Sequence, residues 1–198
     1  MKTDARVRYT KMRLREAFLA CLREKPVGRI TVKELCEMAE INRATFYTHY
    51  QDPFDLLEKL EEETLEELRA TISENKPDDE ALPVSLLQGL KGEDSTARLL
   101  GSENGDPNFG AKVSAFFYEA LLPRMEERLP GLDGQKRRAV YRFLAGGCAN
   151  MIADWVGGGM QTPPEALARQ MREFSEAVVS AAQNDARRAS AREQGGNS

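Results

Sequence analysis

The sequence predicts an all-α chain, and three observations predict it. Apolar residues recur at helical spacing in almost every segment, as at Leu14, Ala17, Phe18, Cys21 and Leu22. No run alternates apolar and polar residues in the way a half-buried strand does. Segment starts carry helix caps: Thr31 with Glu34, Asn42, Asp52-Pro53, Asp106-Pro107 and Thr162-Pro163-Pro164-Glu165. At 198 residues the chain suits one or two domains. The expected organisation is a three-helix domain over 1–51, a larger helical domain over 52–184 and a disordered tail over 185–198.

The first helix is expected over about 4–24, with Arg6, Arg8, Lys11, Arg13 and Arg15 off its apolar stripe, and Pro26-Val27-Gly28 ends it. Thr31 and Glu34 form a capping box for the next, whose apolar face is Val32, Leu35, Cys36 and Ala39. The pattern breaks at Glu40-Ile41 and restarts at Asn42. A short helix, Arg43 to His49, follows with Phe46 as its core anchor. Two short helices joined by a tight turn, the second polar and basic, describe a helix-turn-helix.

From Asp52-Pro53 a helix is expected to about Asn75, on Leu57, Leu60, Thr64, Leu68 and Ile72. Its outer face is read as acidic: Glu58, Glu61, Glu62, Glu63, Glu66 and Glu67. A charged linker is expected over 76–83, then two short helices near 84–90 and 95–100 and a loop at 101–105. The helix after Asp106-Pro107 carries Val113, Phe116, Phe117, Ala120 and Leu121, and Pro123 kinks or ends it. A turn at 130–134 leads into a helix over 135–156, closed by Gly157-Gly158-Gly159. The last helix has Leu167, Met171, Phe174, Val178 and Ala181 as its stripe.

The segment 139–156, AVYRFLAGGCANMIADWV, is apolar on nearly all sides, broken only by Arg142, Asn150 and Asp154. Such a helix must be covered nearly all round. In a small protein that cover usually comes from a second subunit, so a homodimer is expected. Gly146 and Gly147 would admit another backbone closely. Arg142, Gly146, Asn150 and Asp154 step by four along one face, which either pairs across a dimer or looks into a cavity.

Charge is unevenly distributed. Residues 1–50 hold 11 Lys and Arg against 6 Asp and Glu, net +5, and the remainder 17 against 26, net −9. A basic segment coinciding with a helix-turn-helix is the footprint of a module that meets a polyanion at one end.

Catalytic machinery is not visible. The one histidine, His49, has no companions for a metal site or a triad. The chain has no GxSxG serine and no GxxxxGK[ST] phosphate loop. We therefore expect no enzyme activity, no metal and no cofactor. Cys21, Cys36 and Cys148 make no CxxC pair and sit on apolar helix faces, as core thiols do. With no secretory leader and no long apolar run, a cytoplasmic location without a membrane span is expected.

The segment 31–57, TVKELCEMAEINRATFYTHYQDPFDLL, resembles the DNA-binding domain of the TetR family of bacterial transcription regulators. Thr31, Val32, Leu35, Ala39, Ile41, Thr45, Phe46, Tyr47, His49, Tyr50, Leu56 and Leu57 fit the family pattern. Three positions depart from it. Cys36 stands where a small Ala is usual, Glu40 where Gly eases the turn, and Pro53 in place of a Lys that often sits near a DNA phosphate. The C-terminal half is similar to a recurrent subclass of the family. It carries Leu99-Leu100 before Gly105-Asp106-Pro107, then Phe143 with Gly146-Gly147, Trp155-Val156 with Gly158-Gly159, and Pro164-Glu165.

The resemblance implies a dimeric regulator of a palindromic double-stranded DNA operator, a repressor whose 52–184 domain binds a small-molecule effector. Arg43 is the expected base reader, since a guanidinium grips guanine O6 and N7 together. Ala44 and Thr45 would meet thymine methyls. Thr31, Tyr47, His49 and Lys11 would hold phosphates, with Asn42 and Thr48 completing the interface. Phe116, Phe117, Tyr118, Tyr141, Asn150 and Trp155 are the candidates to line an effector cavity. The alternative is an activator whose C-terminal domain receives a partner protein.

Overall fold

The computed structural model of the chain describes residues 2–74, 81–92, 95–129 and 131–195. Among them every regular element is a helix. In order these are α1 (Lys2–Glu24), a 3-10 turn (Val27–Arg29), α2 (Val32–Ala39), α3 (Arg43–Tyr47), α4 (Pro53–Glu74), α5 (Ala81–Lys91), α6 (Thr96–Leu100), α7 (Phe109–Arg128), α8 (Gly134–Gly157) and α9 (Pro164–Gly195). The helical class and the element order follow the sequence reading. Most of the expected 76–83 linker lies outside the described residues, and α5 already contains Pro83.

The chain divides into two compact units, Met1–Ala70 with Gly92–Ala111, and Thr71–Lys91 with Lys112–Ser198. The expected boundary at 51/52 is not where they part. Most of α4 belongs with the N-terminal unit, because Leu56, Leu57 and Leu60 are buried there.

The first unit is built on Leu14, Phe18, Leu22, Leu35, Phe46, Leu56, Leu60 and Leu100, all at most 2% exposed. Burying each such side chain is worth about 1.5–3 kcal/mol. Leu100 enters this core because the segment 92–111 returns to the unit. Asn104 carries it: its Nδ2 donates to Leu22 O at 2.9 Å and its carbonyl accepts from Val27 N at 2.8 Å. Arg15 Nη2 donates to Thr96 Oγ1 at 3.0 Å, tying α1 to α6. The turn into α7 needs Gly105, where an added Cβ would lie 2.1 Å from Leu100 O. Asp106 N donates to that same carbonyl at 2.8 Å, and Asp106 Oδ1 accepts from Asn108 N.

The second unit has two apolar clusters. One joins Leu129, Leu132, Tyr141, Val179 and Ala182, with Tyr118 and Leu144 against it. The other joins Leu87, Trp155, Leu167 and Ala168, with Met151, Ile152 and Met171 against it. Asp133 caps α8, accepting from Gln135 N and Lys136 N at 2.9 Å. Met160 N and Gly159 N close its end on Trp155 O and Val156 O.

Several expectations are corrected. Glu61 is not on an outer acidic face; it is 3% exposed, on the same side of α4 as Leu57 and Thr64. Helix α7 is not ended by Pro123 and runs on to Arg128. One missing N–H costs a 20-residue helix a single bond, which it can absorb. Phe174 is not core but 56% exposed, and Ala181 is exposed too; the buried line of α9 is Leu167, Ala168, Val179 and Ala182. The tail expected to be disordered from 185 is helical to Gly195; residues 196–198 lie outside the described residues.

Candidate nucleic-acid interface

Thr31 is extended (φ −114°, ψ 147°) and its Oγ1 accepts from Glu34 N at 3.3 Å, so it caps α2 as expected. The reciprocal half of the capping box is not what Glu34 makes. Its carboxylate is gripped by Lys25 Nζ at 2.6 and 2.7 Å, which ties α2 to the end of α1. Leu35, Cys36 and Ala39 are buried, as the spacing predicts. Burial pushes the Cys36 thiol above its ordinary range against the opposing pull of Arg43. Cys21, also raised by burial, lies with its Sγ 3.4 Å from Met38 Sδ. These are core thiols.

The turn is made by Glu40 at φ 56°, ψ 43°, with Ile41 N donating to Cys36 O at 3.0 Å. A non-glycine residue pays roughly 1–2 kcal/mol for this conformation. The side chain that could clash points outward, 83% exposed.

Asn42 starts α3. Its Oδ1 accepts from Thr45 N at 2.7 Å and from Thr45 Oγ1 at 2.9 Å. A five-residue helix has no stability of its own. It is held by that cap and by Phe46, which is fully buried and meets the Tyr47 and Tyr50 rings at 5.5 and 5.7 Å. The helix is shorter than expected: Thr48 and His49 form its closing turn, with Thr48 Oγ1 donating to Thr45 O at 2.6 Å. Arg43, Ala44, Tyr47 and Thr48 are exposed, and Thr45 and His49 half-buried. All lie on or beside one short helix.

Lys11 is exposed on α1 and lines a half-open cleft of about 230 Å³ with Met12, Arg15, Tyr50, Leu60 and Glu63. Burial raises the Tyr50 phenol to about 12, so it stays neutral. Arg15 beside it faces Glu63 and Glu67 at 3.6 and 3.8 Å. Asp52 Oδ1 accepts from Phe54 N and Asp55 N at 2.8 and 2.9 Å, with Pro53 opening α4.

In the second unit the six cavity candidates do not gather at one place. Tyr141 packs on Tyr118 at 4.8 Å in one cluster, and its hydroxyl donates to Phe117 O at 2.5 Å. Trp155 belongs to the other, and its Nε1 donates to Thr162 O at 2.7 Å. Phe116 is buried against Phe117. Asn150 is exposed, its amide donating back to Gly146 O. These aromatics spend their polar atoms within the unit, which is how core residues behave.

The uncovered face of α8 instead holds Arg142, Phe143, Gly146, Gly147, Asn150 and Asp154. Phe143 is 69% exposed and Phe174 of α9 56%. Sequence reasoning missed Phe143 and placed Phe174 in the core. Their signal was present: an aromatic beside paired glycines on a helix that one chain cannot cover.

The family described as "Transcriptional regulator C-terminal region", of TetR type, matches residues 84–177. An HTH-type transcriptional regulator of Bacillus subtilis (strain 168), YxbF, is 36% identical over 55 residues, 28% of this chain. That stretch spans 14% of the relative's length. Over residues 84–177 the chain is thus similar to TetR-type transcription regulators, and the shorter match is to an HTH-type regulator.

Solved structures share the TetR-family fold. A TetR transcriptional regulator from Streptococcus agalactiae 2603V is 24% identical, covers 88% of this chain and 98% of its own, and has a TM-score of 0.68. The dihydroxyacetone kinase operon activator DhaS is 20% identical, with coverage of 86% and 96% and a TM-score of 0.66. NalD, the secondary repressor of the MexAB-OprM multidrug efflux pump in Pseudomonas aeruginosa, is 17% identical, with 90% and 98% coverage and a TM-score of 0.60. Among the described residues no group of His, Cys, Asp and Glu could hold a metal ion, and no helix is long and apolar enough to cross a membrane.

Proposed function

We propose that this chain is a homodimeric, sequence-specific DNA-binding regulator of the TetR family: a repressor released by a small molecule held in its second unit. The observation that carries the DNA half is α3. It is anchored by one buried ring and one side-chain cap, and leaves Arg43, Ala44, Tyr47 and Thr48 uncovered. A helix so exposed, following a tight turn, suits the major groove. Arg43 would read guanine, while Tyr47, His49, Thr31 and Lys11 would hold phosphates. Dimerisation is supported by the uncovered face of α8 and α9. Two α3 helices then address half-sites about 34 Å apart, so any ligand that alters their separation alters affinity.

A second reading, an activator that receives a partner protein, is favoured by two observations. DhaS is by its name an operon activator. The aromatic candidates in the second unit also sit in two separate packed clusters.

The test is DNA binding by Arg43→Ala and Lys11→Ala on a duplex that the native chain protects. Arg43→Ala should lose roughly 1–3 kcal/mol and relax base preference at one position per half-site. Lys11→Ala should weaken all sequences alike and flatten the salt dependence. Arg43→Ala binding with native affinity and preference would remove Arg43 as the reader. A reporter behind the protected promoter then separates repressor from activator by the sign of its response.

A further inference from the structure

The outer face of α3 has fewer free hydrogen-bond donors than its residue types suggest. Asn42 Oδ1 accepts from both Thr45 N and Thr45 Oγ1, at 2.7 and 2.9 Å. A carbonyl oxygen has two lone pairs, and both are taken. Bidentate pairing of an asparagine with adenine needs that oxygen to accept from N6 while the amide donates to N7. Asn42 cannot do this without uncapping α3. Each threonine hydroxyl has one proton to donate. That of Thr45 goes to Asn42, and that of Thr48 goes to the Thr45 carbonyl at 2.6 Å. Neither is left for the N7, O6 and O4 acceptors of the major groove.

Beside the Tyr47 phenol and the His49 ring, assigned above to phosphates, and the Asn42 amide N–H groups, what remains outward is one guanidinium and a stripe of carbon. Ala44 and Thr48 are both exposed and stand one turn apart, on one side of the helix. With its hydroxyl folded back onto the helix, Thr48 presents its methyl group.

We infer that α3 reads each half-site through one guanine held by Arg43 and through thymine methyl groups packed on Ala44 and Thr48, with Asn42 and the threonine hydroxyls serving only to hold the helix. This rests on the DNA-binding reading above and specifies its substrate chemistry.

The experiment uses the full chain and needs no altered protein at first. Duplexes are enriched from a random pool by binding, and the best is remade with deoxyuridine for thymidine, one position at a time. Uracil lacks the C5 methyl and keeps every hydrogen-bonding group. At least one such change per half-site should weaken binding by about fourfold, the ratio expected for one buried methyl-sized group. Thr48→Val keeps a methyl and loses the bond to the Thr45 carbonyl, so it should retain the uracil effect at that position even where its affinity falls. Thr48→Ser, which keeps the hydroxyl, should weaken binding and lose the uracil effect at that position. An enriched duplex indifferent to uracil throughout overturns the methyl readout and leaves DNA binding standing. So does a Thr48→Ser chain that binds as the native chain does and keeps the uracil effect at that position. A pool that yields no enriched duplex overturns the DNA-binding reading itself, and this inference with it.

Discussion

Glu40 holds φ 56° and ψ 43° at the turn of the helix-turn-helix, where glycine would sit without strain. Among the described residues its carboxylate pairs with Arg13 of α1 at 3.9 Å, a largely solvated pair worth little. Glu40→Gly should therefore stabilise the chain by roughly 0.5–1 kcal/mol, the left-handed strain relieved less the extra freedom glycine has when unfolded. Urea unfolding followed by circular dichroism measures it, and a lower midpoint would show that the carboxylate contributes more than its exposure suggests. This strain was legible in the sequence, because one acidic residue stood where a turn demands positive φ. The caps at Thr31, Asn42 and Asp52 were legible for a similar reason: each acts on residues two or three places away. Glu34 was not, since its partner Lys25 reaches it only after α1 and α2 have packed. Glu61 was misread because it was grouped by charge with the other glutamates of α4, although it stands four residues from Leu57 and three from Thr64, on the side that is buried.

Among the elements, α1 and the start of α4 belong together in the proposed DNA interface. Pro53 stands where the resemblance to the TetR family leads one to expect a lysine, and Asp52 caps the helix that Pro53 opens. Asp52→Ala should cost about 1 kcal/mol of stability through the lost cap. The missing cation must be supplied elsewhere if phosphate contacts are to be kept, and the basic stretch of α1 with Arg6, Arg8 and Lys11 stands nearest in the sequence pattern. The buried part of α1 begins only at Thr10 and Leu14. Deleting residues 1–8 should therefore cut operator affinity and lower the salt slope while leaving the fold intact. Unchanged affinity at two salt concentrations would place the compensation elsewhere. Element limits were less legible than element types. The 185–195 stretch was read from its small, polar composition, yet Ala, Arg, Glu and Gln are strong helix formers that extend an existing helix readily. Asp185 also pairs with Lys136 of α8, a contact that spacing along the chain cannot reveal.

For the whole molecule, the decisive surface is the one that a single chain leaves open. Along α8 the paired glycines face outward, and a Cβ added at Gly146 or Gly147 would meet nothing within 4 Å. The subunit's own packing therefore gives no reason for glycine there. Phe143 and Phe174 lie exposed on α8 and α9, where burying each ring would be worth about 1.5–3 kcal/mol. Small residues that let a backbone approach, with uncovered aromatics on the same pair of helices, are what the proposed dimer would cover. The sequence showed that the helix over 135–156 needed cover. It did not show which residues would be left bare, because that depends on how α9 settles against α8. This separates two outcomes for Gly147→Glu. Within one subunit the new side chain has room, so helix content and thermal unfolding of the isolated chain should change little. Across a two-fold contact it would place a charge against its own copy, and the dimer should dissociate to monomer by light scattering at micromolar concentration. Phe143→Ser should weaken the dimer in the same direction without unfolding the chain. DNA binding should fall with the dimer, since one α3 contacts one half-site only. If Gly147→Glu remains dimeric and binds its operator as the native chain does, the contact between copies lies on another face, and the exposed aromatics of α8 and α9 have a different partner.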